Sequence, residues 1–156
     1  MSLAPFRTPS IATDAGYVLD TNIVIERGRK PPDSSVVRWF DSVPVDRLYL
    51  TPPVYEELQN GVDESGRENR TKHRQWVEET RNQYGWLELP KGEPVVLTEA
   101  MVRILLDNEG NIPRRIYVDF LIGMIAINHG MTVVTRNEKD FRRLGIPFLN
   151  PFRHRG

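Results

Sequence analysis

The stretch Ile116 to His129, IYVDFLIGMIAINH, limits the fold more than any other part of the chain. It is apolar on nearly every side, so it reads as a helix covered all round rather than one with a wet face. Gly130 ends it. A helix of that kind needs neighbours on several sides, and the flanking sequence supplies short β-strands. Tyr17–Leu19, Leu48–Leu50, Trp86–Leu89, Met131–Thr135 and Ile146–Leu149 are apolar runs bounded by turn residues. Helical segments stand between them: Ile23–Arg29, a segment through Val36, Trp39 and Phe40 capped by Asp33 or Ser34, one opened by Thr51-Pro52-Pro53, one opened by Thr98, and Glu138–Leu144. Strands alternating with helices predict a three-layer α/β/α domain with a central parallel sheet. Residues 63–83 are dense in charge and predict a solvated helix or a mobile arm.

At 156 residues the chain suits one domain with its own core, expected over 16–156 behind a flexible tail at 1–15. Cysteine is absent, which excludes disulfides, thiolate metal sites and cysteine nucleophiles, and suits a cytoplasmic protein. No apolar run is long enough to span a bilayer, so no membrane partner is expected. Net charge is zero, yet from Arg114 onward eight basic residues face three acids. That asymmetry suits a polyanionic partner such as nucleic acid, or a simply solvated basic surface.

Asp119 is the sharpest anomaly, a carboxylate within the most apolar helix. Such a group needs a partner. Arg114 or Arg115 would make the answer structural; a bound cation would make it functional. Asp20 leaves the first strand toward the crevice where open α/β sheets bind ligands, with Thr21 or Asn22 expected to cap the following helix. On the third helix, Glu57 lies nearer the stripe of Val54, Tyr55, Leu58 and Val62 than Glu56 does, so Glu57 is the half-buried acid. Gly61 and Gly123 follow Glu57 and Asp119 by four residues. They either leave those carboxylates uncovered, or serve close helix packing and a C-cap at Gly61. In TRNEKDF, residues 135–141, Asn137 and Asp140 leave a strand at the same end of the sheet as Asp20.

Asp20, Glu57, Asp119 and Asp140 together form a hard oxygen set without histidine or cysteine, suited to Mg²⁺ or Mn²⁺ rather than Zn²⁺. Without the ion, converging like charges leave the site strained or partly protonated. The chemistry such a set supports is metal-assisted phosphodiester hydrolysis. The basic residues, Arg114, Arg115 and Arg136 among them, would then hold the phosphodiester backbone.

The ordered segments LDTNIVIE, LTPPVYEELQNGV, VDFLIGMIAINHGMTVVTRNEKDF and IPFLNPF strongly resemble PIN-domain ribonucleases, specifically the VapC/FitB-like toxins of bacterial toxin–antitoxin pairs. The resemblance runs from Tyr17 to Phe152. It implies a parallel sheet flanked by helices, Mg²⁺- or Mn²⁺-dependent endoribonuclease activity, a cognate VapB-like antitoxin and a homodimer. Asp20, Glu57 and Asp119 match the first three acids, and Thr21, Asn22 and Thr135 the accessory polar positions. Some relatives carry the last acid where Asn137 stands, others where Asp140 stands. Two other classes are to be weighed. A PIN-like binding module that cleaves nothing is suggested by Asn137. An Asp-nucleophile phosphatase built on Asp20 would want a second aspartate where Asn22 stands.

Overall fold

The computed structural model describes residues 16–155, so the expected tail at 1–15 lies outside the described residues. Strand β1 (Tyr17–Leu19) leads to helices α1 (Thr21–Arg27) and α2 (Ser34–Ser42), then to β2 (Leu48–Leu50). Helices α3 (Pro52–Glu64) and α4 (Arg67–Gln83) follow, then β3 (Gly85–Trp86) and α5 (Glu99–Asp107). The chain continues through α6 (Tyr117–Asn128), β4 (Thr132–Val134), α7 (Glu138–Leu144) and β5 (Phe148–Leu149).

The five strands pair in the order β3-β2-β1-β4-β5, all parallel. From β1 the chain winds outward to β3, crosses back, and winds the other way from β4 to β5. Right-handed crossovers put the helices of the two windings on opposite faces, which gives the three-layer α/β/α arrangement. Helix contacts largely follow that division: α1 packs on α2 and α3, α3 on α4, and α7 on α5 and α6. Helix α3 also meets α6, and these two carry Glu57 and Asp119. Where neighbouring strands β1 and β4 send their chains in opposite directions, a crevice opens beyond their carboxyl ends.

The core is built from Val18 and Leu19 of β1, Leu48 and Leu50 of β2, Val133 and Val134 of β4, and the helix residues Val54, Leu58, Phe120, Ile122 and Phe141. Trp39 is part of it, in edge contact with Tyr17 and Phe40. The charged stretch is a helix and not a free arm: α4 buries Val77 and Thr80 and lies along α3. Its Trp76 covers Gly28, where a Cβ would come within 2.8 Å of the indole.

Of the two glycines that follow the acids, Gly123 is explained by packing and Gly61 is not. A Cβ on Gly123 would stand 2.8 Å from Ile146 Cγ1 and 3.1 Å from Met101 Cε, so that position lets α6 approach its neighbours closely. Gly61 is no C-cap, because α3 runs on to Glu64 and ends at Ser65; its open side faces His73 of α4 at 3.4 Å. Gly123→Val is therefore expected to cost about 1–3 kcal/mol through overpacking. Urea unfolding measures it, and an unchanged midpoint would return Gly123 to a role beside Asp119.

Candidate active site

Asp20 leaves β1 with extended dihedrals, φ −77° and ψ 156°, and caps α1 itself: its Oδ1 accepts from the Thr21 backbone N–H at 2.8 Å. The cap expected at Thr21 or Asn22 is thus one residue earlier. That shift frees the Thr21 and Asn22 side chains for other partners. The Thr21 hydroxyl donates to Glu57 Oε1, and Asn22 Nδ2 donates to Asp20 Oδ2 at 3.2 Å. From the neighbouring strand, the Thr135 hydroxyl donates to the same Oδ2 at 2.7 Å. Asp20 is only 4% exposed, and burial pushes its pKa up despite these donors, with the charge of Glu57 adding in the same direction.

Glu57 is half-buried on α3 while Glu56 is exposed, as the helical stripe predicts. Asp119 falls in the first turn of α6. One amide group, Asn137 Nδ2, donates to Asp119 Oδ2 at 3.0 Å and to Asp140 Oδ2 at 2.7 Å. The Asn137 backbone N–H donates in turn to Thr135 Oγ1 at 2.9 Å. A hydrogen-bonded chain therefore links all four acids: Glu57 to Thr21, Thr21 to Asp20, Asp20 to Thr135, and Thr135 through Asn137 to Asp119 and Asp140. Elements distant in sequence converge here because β1 and β4 are adjacent and α3 meets α6.

Counter-charge is thin at this convergence. Asp140 has Arg115 at 3.9 Å, but among the described residues no arginine or lysine pairs with Asp20, Glu57 or Asp119. The structural answer expected for Asp119 is missing: Arg115 reaches toward Asp140, and Arg114 makes no ion pair among the described residues. Burial first, then the charges of Asp20, Asp140 and Glu57 together with a hydrogen bond to Asp140, push the Asp119 pKa up to about 7. Arg136 lies on the crevice rim, its guanidinium 4.4 Å from the centre of the Phe152 ring and its backbone N–H donating to Asn22 Oδ1 at 3.2 Å.

The donor set fits a hard divalent cation in kind, since every carboxylate and hydroxyl offers oxygen. As the side chains stand, no three acids or histidines among the described residues are close enough to grip one ion. Occupancy requires those carboxylates to turn inward. The sequence reading missed Glu138, which accepts from Arg153 Nε at 2.8 Å and Asn150 Nδ2 at 2.9 Å and so ties the C-terminal turn to α7. It also missed Thr51, whose buried hydroxyl has no partner among the described residues.

The sequence matches the PIN-domain family over residues 17–147. The chain belongs to the PIN-domain family. It is 35% identical to ribonuclease VapC1 of Rickettsia felis over 135 residues, covering 83% of this chain and 90% of the relative. Toxin FitB of Neisseria gonorrhoeae is 28% identical over 137 residues, covering 86% of this chain and 97% of the relative. The crystal structure of FitAcB from Neisseria gonorrhoeae superposes with a TM-score of 0.66 at 24% identity, covering 88% of this chain and 99% of that one. This PIN domain thus has the fold its sequence predicts, and among the described residues no helix is long and apolar enough to cross a membrane.

Proposed function

We propose that this PIN domain is a metal-dependent endoribonuclease, the toxin of a toxin–antitoxin pair, acting on cytoplasmic RNA. One observation carries the reading: a single hydrogen-bonded chain links four carboxylates at the sheet's switch point, three of them without a basic partner among the described residues. Burial raises the Asp119 pKa first and the charges of Asp20, Asp140 and Glu57 raise it further, and a cation would offset both. The likeness to a VapC ribonuclease and to a FitB toxin supports the substrate class and the toxin role.

Asp20, Glu57 and Asp119 would hold the ion, with Asp140 at the edge, and Mg²⁺ or Mn²⁺ suits their oxygens. Such an ion, when bound, lowers the pKa of a water and offsets charge building on the phosphate oxygens. The chain's own groups do the rest. Thr21 and Thr135 orient Glu57 and Asp20 by donating to them, and Asn137 fixes Asp119 against Asp140. Arg114, Arg115 and Arg136 border these acids in sequence and are the side chains we assign to the RNA backbone. A VapB-like antitoxin and a second copy of the chain are the proposed protein partners, the first in keeping with solved structures of similar fold described as FitAB and VapBC-1.

The competing reading, a PIN-like module that binds without cleaving, draws on Asn137, which puts a neutral amide between two acids. Expression in a bacterial host separates the two. Growth arrest is expected from the wild type, together with Mn²⁺-dependent cleavage of RNA by the purified protein. Both should vanish in Asp20→Ala and in Glu57→Ala. Arrest and cleavage that survive both substitutions would remove the acids from the mechanism.

A further inference from the structure

Three strand ends lie side by side at the crevice. Leu19 pairs with Val134, so Asp20 stands opposite Thr135; Val18 pairs with Tyr49, so two residues on Asp20 stands opposite Thr51. Neighbouring strands are about 4.8 Å apart, which puts a threonine on each side of the buried aspartate. The Thr135 hydroxyl is spent on Asp20. The Thr51 hydroxyl is spent on nothing: the residue is 0% exposed and Oγ1 has no partner among the described residues.

The local sequence removes one of that hydroxyl's ordinary partners. Thr51 is the N-cap of α3, where a threonine oxygen ordinarily accepts from the second or third backbone N–H of the helix. Here Pro53 fills the second helical position and has no N–H to give, which leaves Val54 as the one ordinary cap partner. Thr51 makes no side-chain cap bond at all, although its carbonyl accepts from Tyr55 at 3.0 Å. Proteins seldom keep a buried hydroxyl unpaired, because it has lost its water without gaining a substitute.

We infer that Thr51 is a positioning residue of the acidic site, its hydroxyl reserved for the hydrated cation that the carboxylates draw in. Mg²⁺ and its analogues keep several waters when bound, and those waters need hydrogen-bond partners on the protein. At Asp20 the existing donors are committed to the aspartate: the Thr21 backbone N–H holds Oδ1, and Thr135 and Asn22 hold Oδ2. Thr51 is the buried neighbour with capacity left. The inference rests on the cation-dependent reading proposed above and adds to it a residue outside the acid set.

The test is calorimetric titration of the full-length protein with Mn²⁺, alongside thermal unfolding in EDTA. Thr51→Val keeps the shape and removes the hydroxyl. It is expected to weaken Mn²⁺ binding about tenfold, the low end for loss of an outer-shell partner. In EDTA the same variant should unfold at the wild-type temperature or above, since an apolar isostere suits a site whose hydroxyl was unpaired. Thr51→Ser restores the hydroxyl and should bring affinity back to within about twofold of wild type. Wild-type affinity in Thr51→Val would overturn the inference, as would a drop in its EDTA melting temperature that Thr51→Ser repairs without a change in Mn²⁺ affinity. A wild-type protein that takes up no Mn²⁺ would overturn the cation-dependent reading itself, and this inference with it.

Discussion

Asp119→Asn is expected to abolish RNA cleavage while making the metal-free protein more stable. The carboxylate sits in the first turn of an apolar helix, where burial first, and then the charges of Asp20, Asp140 and Glu57, raise its pKa to about 7 from an ordinary 3.8. Each pKa unit corresponds to about 1.4 kcal/mol, so the full shift sets a ceiling near 4 kcal/mol on what the ionised group costs the fold. The residue is only half-buried, and solvent screening reduces the gain from removing its charge to about 1 kcal/mol. The amide keeps the shape and an oxygen that can still accept from Asn137. Catalysis responds the other way. On the proposed reading Asp119 would be an anionic ligand of the ion, so a fall of at least about 100-fold in cleavage is expected, comparable to losing a preorganised electrostatic group in other active sites. Cleavage of RNA in Mn²⁺ and thermal unfolding in EDTA at pH 8 read the two effects. Cleavage within a few-fold of wild type would exclude Asp119 from the site. A falling melting temperature would show that its charge stabilises the fold.

The residues that define this site differ in how far sequence alone exposes them. Asp119 stands out because a charged residue breaks an apolar pattern, and that contrast survives without knowing any neighbour. Glu57 is separable from Glu56 because helical periodicity fixes the side on which each lies, and their burial follows it. The strands β1, β2 and β4 are readable for a related reason, since short apolar runs between turns have few other destinations. Contacts between distant segments are not encoded in this way. Nothing near Gly123 reveals that Ile146 and Met101 will press against it. Nothing in the run Asp20-Thr21-Asn22 says which oxygen takes the cap, because all three residues are good caps and the choice depends on Glu57 and Thr135 arriving from elsewhere. Thr51 carried a usable signal: a threonine before two prolines has lost one of its ordinary cap partners, and its hydroxyl must look elsewhere.

Added Mn²⁺ is expected to stabilise the protein more at pH 8 than at pH 5, and the direction follows from the acids themselves. Asp119 has a folded-state pKa of about 7 against 3.8 as the ordinary value, so between those limits the folded chain binds more protons than the unfolded one. Stability is then present below about pH 4 and is lost as pH rises through about 7. Asp20 is shifted the same way by its burial and adds to the same slope. A bound cation reverses the preference, because it favours ionised carboxylates and must displace the Asp119 proton to bind below neutral pH. The EDTA melting temperature should therefore decline from pH 5 to pH 8, while the Mn²⁺ curve stays flatter and the gap between them widens. At a free ion concentration about 100 times the dissociation constant the stabilisation is about 2.7 kcal/mol, or roughly 5–10 °C for a domain of this size. Asp119→Asn supplies the control: it should flatten the EDTA slope and shrink the gap together, since Asp119 contributes to both. A gap that is constant across the pH range, or an EDTA slope unchanged in Asp119→Asn, would mean that the proton and the ion do not compete for this cluster.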